Sequence, residues 1–279
     1  KTKSKMDEQI IEYFDSDDTP DEIYRAKRLE LIRALKRNEV VLSHSSFNEF
    51  CKSPRHFISY KLKDKVTTPS MLFGSMVHCS ILEPEKFDTR YIVAPPCDRR
   101  TKEGKAFWLA FQETAQGREV VTDNDYQAAL RISDSLRKSD VAGDLLSKCT
   151  EFEVGTEWDY KGLRWRCFID GRGNGFIMDL KVLADASPRH VANYVKYEGA
   201  GRQAVHYLRN HPDYNYFILA VERSGNYSVS KLGEGLLNQL SREIDWYISQ
   251  FKRCVFLGDW HSSFDFYGNK NGHFEINSL

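Results

Sequence analysis

A chain of 279 residues, 41% of them hydrophobic, is long enough to bury one substantial core, and it holds no apolar run of membrane-spanning length. Forty basic residues balance forty acidic ones, which excludes a surface that binds nucleic acid indiscriminately and confines any contact with a polyanion to a local patch. Six scattered cysteines (Cys51, Cys79, Cys97, Cys149, Cys167 and Cys254) form no Cys-x-x-Cys pair, a pattern of reduced thiols in a cytoplasmic protein and not of a disulfide framework or a zinc knuckle.

The chain begins at Lys1 and so reads as a fragment or a processed product. Its first twenty residues are polar, with Asp15, Asp17 and Asp18 clustered, and are expected to form a loose arm. From Asp21 to Asn38 the spacing of Ile23, Ala26, Leu29, Ile32 and Leu35 predicts a helix behind Thr19-Pro20, since these positions share one face at helical period. Ser46-Phe47-Asn48-Glu49 has the form of a capping box opening a short helix that ends near Ser53-Pro54. A further helix is expected from about Ser70 to Leu82, with Gly74 and His78 on one face and the small Gly74 admitting a neighbouring element. A short strand at Tyr91–Ala94 precedes Pro95-Pro96, and helices are predicted at 104–116, 123–138 and 140–148. Residues 151–182 read as three antiparallel strands with turns at Tyr160-Lys161-Gly162 and across Gly171–Gly175. Helices at 188–197 and 201–210, strands at 214–222 and 227–231, and a long helix at 234–253 follow. The expected architecture is α/β, a central mixed β-sheet flanked by helices. Residues 1–40 form an N-terminal arm and helix, 41–258 one catalytic domain, and 259–279 an aromatic tail with Trp260, Phe264, Phe266, Tyr267 and Phe274 that packs on the domain or on a partner subunit.

The chemistry concentrates in Phe168-Ile169-Asp170-Gly171 and Phe176-Ile177-Met178-Asp179-Leu180-Lys181. Side chains alternate along a strand, so Asp179 and Lys181 project together with Leu180 turned away. A hairpin through the glycine-bearing turn brings Asp170 to the same place. An exposed Asp-x-Lys is common and contributes little. Here the apolar context predicts partial burial, where charges persist when paired or bound to something. Two carboxylates suit a hard divalent cation, and an ammonium beside them suits the charge that builds on phosphorus during phosphodiester hydrolysis.

In order along the chain, Gly74-x-x-x-His78, Asp170, Asp179-Leu180-Lys181 and Gln203-x-x-x-Tyr207 resemble the RecB-like nuclease branch of the PD-(D/E)XK superfamily. Within it, Ser43-His44-Ser45-Ser46, Ser53-Pro54-Arg55-His56-Phe57, Phe73–His78 with Leu82-Glu83-Pro84, and Arg100–Trp108 are similar to the RecE-type 5′→3′ exodeoxyribonucleases (exodeoxyribonuclease VIII), over about residues 43–255. The resemblance implies a PD-(D/E)XK nuclease core in which Asp170, Asp179, the Leu180 carbonyl and His78 bind Mg²⁺, with Mn²⁺ able to substitute. It implies that Lys181 positions and helps to activate water, and that Gln203 orients a water, a lysine or a phosphate with Tyr207 one turn along. Glu157, on the preceding strand, is expected as an additional carboxylate behind the ligands. The same resemblance implies removal of one strand of linear double-stranded DNA to leave a 3′ single-stranded overhang for homologous recombination. A ring-shaped homo-oligomer, a tetramer among the options, and a RecT-type single-strand annealing protein as partner are implied with it. A related branch carries an iron–sulfur cluster on one upstream and several C-terminal cysteines. Cys254 stands alone late in this chain, so no cluster is expected.

Two basic stretches are candidate DNA contacts. Lys52, Arg55, His56, Lys61, Lys63 and Lys65 form the first, and Arg99, Arg100, Lys102 and Lys105 the second. In the second, Thr101 and Gly104 mark a helix start whose N–H groups favour anions, and a terminal 5′-phosphate is its expected target at Arg99 or Arg100. The other seven histidines, among them His190, His206 and His211, are read as ordinary core or surface residues. Gly171-x-Gly173-x-Gly175 joins two strands, not a strand and a helix, which argues against a dinucleotide site. Neither a Gly-x-Ser-x-Gly elbow, a Walker loop nor His-Glu-x-x-His is present. The alternatives left open are a structure-specific or endonucleolytic enzyme of the same fold, and a non-catalytic DNA-binding or assembly module.

Overall fold

The computed structural model describes residues 22–64 and 66–268; the expected arm over 1–20, Lys65 and Phe274 lie outside them. Helix α1 (Glu22–Lys36), strand β1 (Leu42–Ser43) and helices α2 (His44–Lys52), α3 (Pro54–Leu62) and α4 (Pro69–Leu82) come first. Then follow α5 (Phe87–Arg90), β2 (Tyr91–Val93), α6 (Lys102–Ala115), β3 (Glu119–Val121), α7 (Asp123–Lys138) and α8 (Asp140–Ser147). Three long strands, β4 (Cys149–Tyr160), β5 (Leu163–Gly173) and β6 (Phe176–Val182), lead to α9 (Pro188–Tyr197), α10 (Ala200–Leu208), β7 (Asn215–Val221), β8 (Tyr227–Lys231) and α11 (Glu234–Leu257).

Local chemistry shifts some expected boundaries. The capping box sits three residues earlier than predicted: Ser43 Oγ accepts from Ser46 N–H, and Ser46 Oγ accepts from Ser43 N–H. Because β1 ends at Ser43, the helix must begin at once, and a serine serves at the position where Glu is usual. The turn between β5 and β6 shrinks to Asn174-Gly175, with Gly175 at φ 78°. Strand β3, which pairs in parallel with β2, was not expected. Gly74 does not seat a neighbouring element, since a Cβ there would meet nothing within 4 Å.

Strand β4 pairs antiparallel along β5, β6 runs parallel to β7, and β7 is antiparallel to β8. The remaining edge of β5 is shared. β6 pairs with it only through Gly171–Gly173, and β1 pairs in parallel at Trp165 and Arg166. The sheet therefore forks just after the Gly171↔Met178 pair. Helices cover both faces. On one, α4, α7 and α8 bury Met76, Val77, Ile132 and Leu145 against Met178, Leu180 and Leu219; on the other, α9 and α10 bury Val191, Val195 and Ala204 against Ile177 and Ile218. A third cluster joins α1, α2, α3 and α11 around Phe50, Phe57, Trp165 and Phe251, and draws in Trp260 and Phe266 from the expected tail. The fold is the expected one, a mixed sheet flanked by helices. Among the described residues no helix is long and apolar enough to cross a membrane.

His206 lies inside this third layer, 4.1 Å centroid to centroid from Trp165, with its Nε2 buried and unpartnered. Burial, assisted by the Arg209 charge, pushes its pKa down to about 3. The unfolded chain therefore takes up a proton near pH 6.5 that the folded chain refuses. This group's contribution to stability is complete above pH 6.5 and is lost as pH falls towards 3, by roughly 2 kcal/mol between pH 7.5 and pH 5. Urea midpoints measured at those two pH values should converge in a His206→Phe variant; an undiminished acid loss in that variant would place the sensitivity elsewhere.

Candidate active site

The fork between β5 and β6 leaves backbone donors without a strand partner, and a side chain takes one of them. Leu180 N–H donates to Asp170 Oδ2 at 2.7 Å. Asp170 is thereby held at the point where the two strands diverge, while β6 stays registered on β7 through Val182. One residue to either side of Leu180, Asp179 and Lys181 turn together towards α10, as strand alternation requires. Asp179 Oδ1 accepts from Lys181 Nζ at 2.8 Å and from Gln203 Nε2 at 2.9 Å, and Gln203 Nε2 also donates to Tyr207 Oη at 3.2 Å. Gln203 and Tyr207 are one turn apart on α10, so the helix supplies a two-residue brace for the carboxylate. Asp179 is 2% exposed, and its Oδ2 is buried without a partner.

From the opposite side α4 contributes His78. The C-terminal half of this helix is fixed by Val77, Cys79, Ile81 and Leu82, all buried. Its cleft-facing residues Ser70, Met71, Gly74 and Ser75 line a cavity of about 830 Å³ together with His78, Asp170, Leu180 and Lys181. His78 hydrogen-bonds to the Leu180 backbone and lies 3.7 Å from Asp170 Oδ1.

Glu153, which the sequence reading passed over, completes this group. Ligand atoms of His78, Glu153 and Asp170 lie within 4.8 Å of one another. The register explains why: Phe152 pairs with Gly171 and Val154 with Ile169, which sets Glu153 opposite Asp170. Its backbone is left-handed, φ 51°, a conformation that costs a non-glycine residue of order 1–3 kcal/mol and clusters at functional sites. Glu157, the carboxylate expected here, is four residues along β4, opposite Arg166, and exposed beside Arg164 Nη2 at 3.7 Å. Four residues of strand span about 13 Å, too far for Glu157 to stand behind the ligands.

Burial dominates the electrostatics. It raises Asp179 to about 6 against the opposing Lys181 charge, and raises Asp170 in the same way. Glu153 is pushed up to about 7 by burial and then by the Asp170 charge. His78 is lowered to about 4 by burial and the Lys181 charge, so it is neutral at pH 7. Burial pulls Lys181 down, but the Asp179 and Asp170 charges outweigh it and leave the ammonium above its ordinary pKa. Lys181 is thus a cation and a donor here. Three crowded carboxyl groups, each held above its usual pKa, with one unpartnered buried oxygen, form a set that a hard divalent cation would relieve. The donors that converge fit such an ion: Glu153 and Asp170 offer oxygens and His78 a neutral imidazole bonded to the Leu180 backbone, while Asp179 Oδ2 on the same strand as Leu180 is a further oxygen without a partner.

The model of a family described as a PDDEXK-like domain of unknown function (DUF3799) matches residues 43–254. The chain belongs to this family. The match spans every side chain of the fork, from His78 to Tyr207. A crystal structure of a candidate exonuclease from Eubacterium rectale aligns with a TM-score of 0.57 at 15% identity, covering 80% of this chain and 84% of that one; at that identity the likeness is one of fold. A comparison with curated proteins returns no match.

The basic residues lie elsewhere. Arg55, Arg99, Arg100, Thr101, Lys102 and Lys105 do not line the cleft. Thr101 does cap α6, accepting from Gly104 N–H at 3.0 Å, and a Cβ at Gly104 would fall 1.9 Å from the Asp98 carbonyl oxygen. Arg100, however, is held by both oxygens of Asp98 at 2.9 Å, and the Arg99 guanidinium sits 4.2 Å over Trp108. Besides Lys181, the cation that lines the cleft among the described residues is Arg90, bonded to Glu83.

Proposed function

We propose that this protein is a divalent-metal-dependent deoxyribonuclease that removes one strand of linear double-stranded DNA from its end. The observation that carries the reading is the convergence of His78, Glu153 and Asp170 at one strand fork, with the Asp179–Lys181 pair on the adjoining strand and Asp179 Oδ2 buried and unpartnered. The PDDEXK-like family and the fold of the Eubacterium rectale protein support a nuclease. Mg²⁺ is the ion we assign, because the donors are mostly oxygen and the cleft is open to the waters Mg²⁺ retains. The 5′→3′ polarity, the 3′ overhang for recombination, a ring-shaped homo-oligomer, a RecT-type partner and a cytoplasmic setting come from the RecE-type resemblance and the composition, and belong to the same proposal.

A divalent cation bound by these donors lowers the pKa of water and neutralises charge on the phosphate. The protein's own groups do the rest. The Lys181 ammonium, anchored on Asp179, donates towards the non-bridging oxygens as negative charge grows on them. Gln203 and Tyr207 hold Asp179 so that its free Oδ2 keeps one direction. His78, neutral, braces the Leu180 backbone and presents its ring to the cleft.

End-labelled linear duplex and a covalently closed circle, each incubated with Mg²⁺ or with EDTA, test the reading. Loss of the linear substrate in Mg²⁺ alone, with release of the 5′ label first and the circle intact, is the expected result. A cut circle would make the enzyme an endonuclease, and inert linear DNA would remove the catalytic reading.

A further inference from the structure

One exposed aromatic ring shares the strand face that carries Asp170. Along β5, buried and exposed residues alternate, and Arg166, Phe168 and Asp170 fall on the same side. Phe168 lines the cleft with His78 and Lys181, yet it is 61% exposed. A single exposed aromatic ring is ordinary on a protein surface; what sets this one apart is its place in the lining of the charged cleft. Its seat is shaped for a flat ring. Gly155 lies directly opposite on β4, and a Cβ at that position would come within 3.1 Å of Phe168 Cε1, so glycine lets the ring lie down over the neighbouring strand. Across the cleft, Gly74 leaves open space and Met71 is exposed. Phe168 and Met71 are the exposed apolar side chains of this otherwise largely polar cleft, and Phe168 stands one strand repeat, about 7 Å, from the Asp170 position.

We propose that Phe168 is a stacking platform for the nucleobase adjacent to the phosphate being cleaved, with Arg166, exposed and next along the same face, meeting the following phosphate. The inference rests on the nuclease reading and deepens it by giving the substrate strand a path: along β5, away from the fork. A π-face accepts every base, so the contact is independent of sequence and suits an enzyme that must advance through any DNA. Phe168 acts by positioning. It touches no reacting atom, and it holds the strand so that the scissile phosphate rests at Asp170 and Lys181.

The test compares wild type, Phe168→Ala and Phe168→Trp on an ordinary linear duplex and on the same duplex carrying abasic sugars at the first three positions from every strand end. On ordinary DNA, Phe168→Ala should raise KM about 10-fold with kcat nearly unchanged, and Phe168→Trp should keep wild-type values. On the abasic duplex, wild type and Phe168→Ala should coincide. With Ca²⁺ replacing Mg²⁺, the emission of the added indole should be quenched by ordinary DNA and not by abasic DNA, a readout that needs no cleavage. If wild type cleaves neither duplex, the nuclease reading falls while the quenching still decides the platform. An unchanged KM in Phe168→Ala, an equal loss on both duplexes, or absence of base-dependent quenching would overturn it. So would a fall in oligomer mass for Phe168→Ala, which would assign the ring to contact with a second copy.

Discussion

Asp179→Asn is expected to cut Mg²⁺-dependent cleavage of linear DNA roughly a thousandfold, the scale lost when one electrostatic contact to a transition state is removed, while the fold persists. Asparagine keeps the volume of a side chain that is 2% exposed and can still face Lys181 and Gln203. What it loses is the charge, and with it the anionic Oδ2 that now has no partner. Alanine is the poorer probe. It would strand the Lys181 ammonium, 17% exposed, and breaking a buried pair from one side costs about 3–5 kcal/mol. Asp179→Ala should therefore lower the melting temperature more than Asp179→Asn, which also loses the counter-charge but keeps an oxygen to accept from Lys181 and Gln203. Steady-state rates together with thermal melts of both variants separate the two effects. Full activity in Asp179→Asn would remove this carboxylate from the chemistry.

Much of this site was legible because it rests on the shortest periodicity in protein structure. Asp179 and Lys181 must share a face if 176–182 is a strand, and Gln203 and Tyr207 must share one if 200–208 is a helix. Hydrophobic runs marked both segments. Asp170 needed only the inference that two adjacent strands form a hairpin. The sheet with helices on both faces followed from the alternation of apolar runs and periodic segments. Strand β3, at three residues, carried too little pattern to be seen.

Other features depended on information that no local pattern holds. That β5 and β6 part after Gly171, so that a carboxylate replaces a ladder acceptor at Leu180 N–H, is a property of how β1 inserts beside β5. The basic stretch 99–105 has the composition of a phosphate site, but Asp98 and Trp108 engage its two arginines, and a charge count along the chain does not show who neutralises whom. Cleft-lining Arg90 was invisible for the converse reason: nothing around it in sequence suggested chemistry.

Glu153 and Glu157 illustrate the same limit, and their contrast makes the second large prediction. Both are acidic, both lie on β4, and they share strand parity, so pattern alone cannot choose between them. The choice lies in the register, which puts Glu153 opposite Asp170 and Glu157 opposite Arg166. Glu153→Gln should raise the Mg²⁺ concentration for half-maximal activity about 10- to 100-fold, the usual penalty for disturbing a group that tunes a metal site, while Glu157→Gln should change it by less than about twofold. A stability readout follows from Glu153's raised pKa of about 7. A carboxyl raised in the folded state favours folding below that pH, where it is protonated, and opposes it as pH rises and the buried charge forms. Without metal, Glu153→Gln should therefore melt higher than wild type at pH 8 and lose most of that advantage at pH 5. Added Mg²⁺ should raise the wild-type melting temperature at pH 8 and leave the variant nearly unmoved, because an ion that binds only the folded state stabilises it by mass action. Equal Mg²⁺ shifts in both proteins would show that the ion sits on the Asp170 and Asp179 side of the fork without Glu153. Equal melting at pH 8 without Mg²⁺ would show that the Glu153 carboxylate is not under the strain its burial implies.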